Sequence, residues 1–137
     1  MTIVSLYHGT SSTHSPNILK NGLRDNSYLT NNLSIAEYYA ECACDEESMS
    51  YDEAVILEVN IDKKSLSVDF ASFEEPLSIY RNNFARTDRD WHQMIEDGDI
   101  PYPKSSNLSV DVQIALQVTG CVKTVKHLSP EQCSIHE

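Results

Sequence analysis

The chain has 137 residues, which suits one domain over residues 1–137, and 40% hydrophobic against 23% charged residues marks a folded chain rather than a disordered one. With 21 acidic against 10 basic residues the net charge is −11, a field that repels phosphate backbones and argues against broad-patch binding of DNA or RNA. A compact phosphate-bearing ligand, held by a few local donors, stays open.

No apolar run approaches the roughly 18 residues of a membrane span. Met1–Tyr7 shows neither a basic n-region nor a cleavage site, so the expected location is the cytosol. Cys42-Ala43-Cys44 is too tight for a zinc chelate, and no second Cys/His pair stands at ligand spacing. Cys42, Cys44, Cys121 and Cys133 read as buried free thiols in a reducing compartment.

Ile3–Tyr7 reads as a strand that delivers His8 to its end, followed by Gly9 and Thr10. Alone, His8-Gly9-Thr10 is more simply a strand-end histidine making one structural hydrogen bond. Thr10–Ser15 leads away from the strand, and Ser15-Pro16 starts a helix with Ser at the N-cap. Ile18, Leu19 and Leu23 give it an apolar face, and Asn21-Gly22 stops it. Ser27–Thr30 is a brief strand. Asn32 or Ser34 then caps a helix running to about Cys44, with Ile35, Ala36, Tyr39, Ala40 and Ala43 on one face.

The acidic run from Glu41 to Glu53 reads as a solvated loop or frayed helix end. Ala54–Ile61 is the clearest strand, apolar enough for a central, two-sided place in a sheet, and Ser65–Asp69 extends the sheet. Signals between Phe73 and Ile100 are weaker, apart from a helix at Asp88–Glu96 carrying Trp91 and Met94. Val110, Val112, Ile114, Leu116 and Val118 alternate with polar partners as in a half-buried strand, with a helix over Ser109–Gln117 as the alternative. Val122–Leu128 follows as a last strand. The expected class is α+β, with helices packed alongside two small, mainly antiparallel sheets.

The order of motifs in residues 5–44 resembles the NAD-binding half of the diphtheria-toxin and poly(ADP-ribose) polymerase class of ADP-ribosyltransferases. The motifs are Leu6-Tyr7-His8-Gly9-Thr10, Ile18-Leu19-Lys20-Asn21-Gly22-Leu23, Tyr28-Leu29-Thr30, and the helix with Ala36 and Tyr39. The resemblance implies a split β-sandwich and an NAD site. His8 would bond a ribose hydroxyl, the Gly9 backbone would meet the nicotinamide amide, and Tyr28 and Tyr39 would flank the nicotinamide ring. Thr10 and Ala36 complete the cofactor-binding set. Ala36 stands where the family often has a small hydroxyl residue.

The family also places a glutamate at the start of a late strand, where it stabilises an oxocarbenium-like sugar. No glutamate occurs in Val110–Val118 or Val122–Leu128; Asp111, Gln113 and Gln117 are candidates in its place, and the register could put Cys121 there. The implied activity is single ADP-ribose transfer from NAD to a macromolecule. The acidic surface favours a basic-faced protein target over naked nucleic acid, as in a bacterial or phage effector. Two alternatives remain. One is an idle module on the same fold that binds NAD or ADP-ribose or blocks a partner. The other is an RNA 2′-phosphotransferase, since such an enzyme carries His-Gly-Thr on this fold; scarcity of Arg and Lys counts against it. His14, His92, His127 and His136 read as solvated or structural.

Overall fold

The computed structural model describes residues 2–74, 85, 87–104 and 107–137. Strand β1 spans Ile3–Ser11, past the Tyr7 end suggested by its apolar run. Thr10 and Ser11 are polar but buried, and they pair with Val55 and Ala54, so the ladder sets where the strand ends. Strands β2 (Tyr28–Thr30), β3 (Ala54–Asp62), β4 (Leu66–Val68), β5 (Cys121–Thr124) and β6 (Cys133–Ile135) join it in the order β4-β5-β2-β1-β3-β6. Every pairing among these strands is antiparallel.

The two small sheets that were expected are hydrogen-bonded into one, unevenly. β1 and β3 share nine Cα pairs from Ile3↔Asp62 to Ser11↔Ala54, whereas β1 and β2 share only Tyr7↔Thr30. A seam therefore runs through the middle of the sheet, with three strands on either side.

The described helices are α1 (Ser15–Asn21), α2 (Leu33–Glu46), α3 (Phe70–Glu74), α4 (Asp88–Glu96) and α5 (Leu108–Val118). One face of the sheet holds the main core. There Leu6, Leu29, Leu57, Val59, Ile61, Leu66, Val68 and Val122 pack with Phe73, Trp91, Val112, Ala115 and Val118. The other face carries α2, whose Ile35 and Tyr39 pack on Cys121. Alternation along a strand sorts residues between these faces. Leu29, Val68 and Val122 belong to the main core, while Gly9, Tyr28, Thr30, Cys121 and Lys123 face the α2 side. No described helix is long and apolar enough to cross a membrane.

Several sequence expectations are corrected. Val110–Val118 is not a strand but most of α5: Asn107 Oδ1 accepts the Val110 N–H as a helix cap, and Val112, Ala115 and Val118 are buried at helical spacing. The last apolar run pairs only over Cys121–Thr124, and β6 after Pro130 was not foreseen. Helix α1 starts at Ser15 itself, with His14 at the cap position and no side-chain cap bond. β3 is interior by pairing but buried on one face only, Leu57, Val59 and Ile61 being enclosed while Asn60 is exposed. Asn32 caps α2 by accepting the N–H groups of Ser34 and Ile35. The acidic run covers the end of α2 and a 3-10 turn at Tyr51–Glu53. The helix over Asp88–Glu96 stands as read, while residues 75–84 and 86 of the weaker region lie outside the described residues. All four cysteines are free thiols, with Cys42 half-buried and the others buried.

Candidate functional site

The seam brings together the residues of the N-terminal motifs. Beyond Tyr7↔Thr30 the backbone ladder between β1 and β2 stops, and side chains take over. His8 Nδ1 lies 2.9 Å from the backbone carbonyl oxygen of Tyr28. The Tyr28 hydroxyl accepts the Gly9 N–H at 2.6 Å and donates to the Gly9 carbonyl at 3.0 Å. These bonds satisfy backbone groups that an open strand edge would leave exposed.

The bond to Tyr28 fixes the histidine tautomer. A carbonyl only accepts, so Nδ1 carries the proton. Burial pushes the His8 ring below its ordinary 6.5, against a smaller upward pull from the Tyr28 carbonyl, which keeps it neutral at pH 7. Its Nε2 is then a hydrogen-bond acceptor.

Glycine at position 9 answers to packing. A Cβ there would lie 1.9 Å from the Ala36 carbonyl oxygen and 2.8 Å from the Ala40 nitrogen, so only glycine lets α2 settle on β1. Ala36 is fully buried in that contact, which places it behind the site rather than on a ligand surface.

The rings of His8, Tyr28 and Tyr39 form a ladder, with centroids 4.7 Å apart for His8–Tyr28 and 4.3 Å for Tyr28–Tyr39. A third ring between the two tyrosines would need about 7 Å, twice a van der Waals contact. They are therefore closed on each other and do not present a ready slot. Burial, opposed by the backbone bond to Gly9 and aided by the neighbouring Tyr39, Cys121 and Cys42, leaves the Tyr28 phenol strongly raised and un-ionised. Tyr39 is pushed up to about 12, chiefly by burial and next by Cys121 and Asp69.

On its other side His8 opens onto a cavity of about 530 Å³. Thr10, Asn17, Gly22, Arg24 and Ser27 line it, with His14 also on its wall. The Ser27 hydroxyl bonds the Arg24 carbonyl at 2.7 Å and Thr124 Oγ1 bonds the same oxygen at 3.1 Å, which fixes the loop that presents the guanidinium. His14, read as solvated, is an exposed ring paired with Glu47 at 2.6 Å.

The structure does not bring the α5 candidates to this cavity. Asp111 is buried in the first turn of that helix. Gln113 accepts from Lys63 Nζ at 2.8 Å and, with Gln117, lines a separate cleft beside Val4, Leu6 and Asn31. Reassigning 108–118 as a helix leaves β5 as the late strand, and its first residue is Cys121, packed on Tyr39. The sequence reading overlooked Asp69. It follows β4, is 8% exposed, and keeps its Oδ1 buried without a hydrogen-bond partner. A lone aspartate after a three-residue strand gives no sequence signal; only pairing with β5 shows what it stands beside. No protein-family model matches the chain, and no curated protein matches it.

Proposed function

We propose that this domain is a small mono-ADP-ribosyltransferase of the diphtheria-toxin and poly(ADP-ribose) polymerase type, which takes NAD and modifies a protein target. One observation carries the reading. At the seam, the neutral His8 ring turns an acceptor nitrogen away from the Tyr28 carbonyl, beside a cavity with Arg24 in its wall. An acceptor suits a ribose hydroxyl, and a cation on the same wall suits a diphosphate. The nearly parted sheet, joined at one Cα pair, is compatible with a split sandwich whose cleft holds the dinucleotide.

In this reading the ribose is fixed by His8 and the carboxamide by the Gly9 backbone. The Tyr28 hydroxyl, which now occupies both polar groups of Gly9, moves aside when the nicotinamide enters. Holding the dinucleotide bent exposes the glycosidic carbon, and orientation with charge stabilisation does most of the work. The net charge of −11 steers basic-faced protein partners toward the surface and nucleic acid away.

The test is incubation with NAD labelled in its adenylate half and a cell lysate. Label on protein that disappears with His8→Ala supports transfer. Absence of both NAD binding and transfer by the folded chain sinks the reading. A second reading, an idle module that binds NAD or ADP-ribose, is favoured by Cys121 standing at the head of the late strand. NAD binding in calorimetry with no nicotinamide release would establish that one.

A further inference from the structure

We infer that Asp69, at the end of β4, supplies the carboxylate that β5 lacks, facing the sugar carbon from which nicotinamide departs. The inference rests on the NAD reading of the site and names the residue that completes it.

Register is the first observation. β4 and β5 pair antiparallel as Leu66↔Thr124, Ser67↔Lys123 and Val68↔Val122. One step further sets Asp69 abreast of Cys121, which pairs on its other side with Thr30 of β2. Asp69 thus stands one strand over from Cys121 at the head of β5. Alternation gives it the face shared by Cys121, Lys123 and Tyr28, the face that Tyr39 covers.

A buried polar relay is the second. The Ser72 hydroxyl donates to the Asp69 carbonyl at 2.6 Å and lies 2.9 Å from Thr119 Oγ1, which accepts the Cys121 N–H at 3.3 Å. These bonds lock the end of β4 to the head of β5, so the carboxylate is held by structure and not by a loose loop. Third, Oδ1 of this enclosed side chain has no partner. Buried polar groups are almost always satisfied, and a carboxylate oxygen left open in the fold is a group prepared for a ligand charge.

The step balances without a further reagent. The bond from the ribose carbon to the pyridinium nitrogen breaks, and its electron pair leaves with nicotinamide, which departs neutral. The carbon bonds to an oxygen or nitrogen of the acceptor, or to water. The acceptor's proton passes to the Asp69 carboxylate and then to solvent. Until capture, the carboxylate stabilises the positive charge on the sugar.

Burial raises the Asp69 carboxyl above its ordinary 3.8, against Lys123 and the N–H groups of Ala71 and Ser72, which pull it down. The groups that face it are Lys123 and Cys121 on β5 and Tyr39 on α2. At saturating NAD, turnover should therefore fall with falling pH through a midpoint above the usual aspartate range.

The experiment measures NAD binding by calorimetry and nicotinamide release by chromatography on the whole chain, with water as acceptor. Asp69→Asn should bind NAD within about threefold of the parent yet release nicotinamide about 100-fold more slowly. Adding Cys121→Glu to that variant, which restores an acid on the adjacent strand, should recover at least about tenfold of the loss. Release at the parental rate by Asp69→Asn overturns the inference and leaves the NAD reading standing. So does a parent that binds NAD without releasing nicotinamide. A parent that binds no NAD overturns both. Should Asp69→Asn fail to fold by circular dichroism, the parental release rate at saturating NAD between about pH 4 and pH 8, where loss of affinity at His8 no longer counts, decides: a single acid limb supports Asp69, a flat profile removes it.

Discussion

His8 is held neutral by burial, and that gives it a pH signature of definite sign. Above its ordinary 6.5 the ring is neutral in both folded and unfolded chains and adds no slope. As pH falls below 6.5 the unfolded chain takes up a proton that the buried ring refuses, so stability is lost until the folded-state value is passed. One such proton gives a slope of at most about 1.4 kcal/mol per pH unit. Urea melts between about pH 7.5 and pH 5 should show it, and His8→Asn should flatten that part of the curve. NAD affinity should weaken over the same range, because a protonated Nε2 donates where the site needs an acceptor. Tyr28 makes the opposite kind of prediction. Its hydroxyl bonds both polar groups of Gly9, so it staples the seam and, in the proposed NAD site, would compete with the carboxamide. Tyr28→Phe keeps the ring contacts and removes the competitor. Its melting temperature should drop by a few degrees, since each lost hydrogen bond costs about 1 kcal/mol, while NAD binds up to about tenfold tighter. Weaker binding would instead make the hydroxyl a ligand contact.

Among the elements, α5 shows how far a pattern can mislead. Val110, Val112, Ile114, Leu116 and Val118 alternate as a strand does, and the same residues fit a helix that buries Val112, Ala115 and Val118. The choice is made by groups the period does not register, the Asn107 cap and the packing of α5 against β4 and β5. Asn107→Ala should therefore cost about 1 kcal/mol in denaturant unfolding, with the midpoint shifted and the slope unchanged. No loss would mean that tertiary packing alone holds the first turn. The N-terminal elements were more legible because they join local chemistry to fixed spacing: a helix from Asn32 or Ser34 to about Cys44 with Tyr39 on its face, and a strand carrying His8, were readable, whereas the seam beside His8 was not. The acid was not. Its place depends on pairing between β4 and β5, elements more than fifty residues apart in the chain, and no local pattern encodes such a register.

At the scale of the whole molecule, the sheet is two three-stranded halves with very different bonds within and between them. Nine Cα pairs hold β1 to β3, but one pair plus the His8 and Tyr28 side-chain bonds holds β1 to β2. Local opening follows the weakest set of bonds, so the seam should part more readily than the β1–β3 ladder. Hydrogen exchange should show this as slow amides across β3 and the paired part of β1. The Gly9 amide, bonded only to a tyrosine hydroxyl at the seam, should exchange faster. A ligand that enters at the seam binds the folded state alone and raises the free energy of that opening by mass action. Saturating NAD should then slow exchange at Gly9 and along β2 by more than it slows β3. The same slowing everywhere would mean global stabilisation by a ligand bound elsewhere. No change at Gly9 would show that the dinucleotide does not reach the seam, whatever its affinity for the chain.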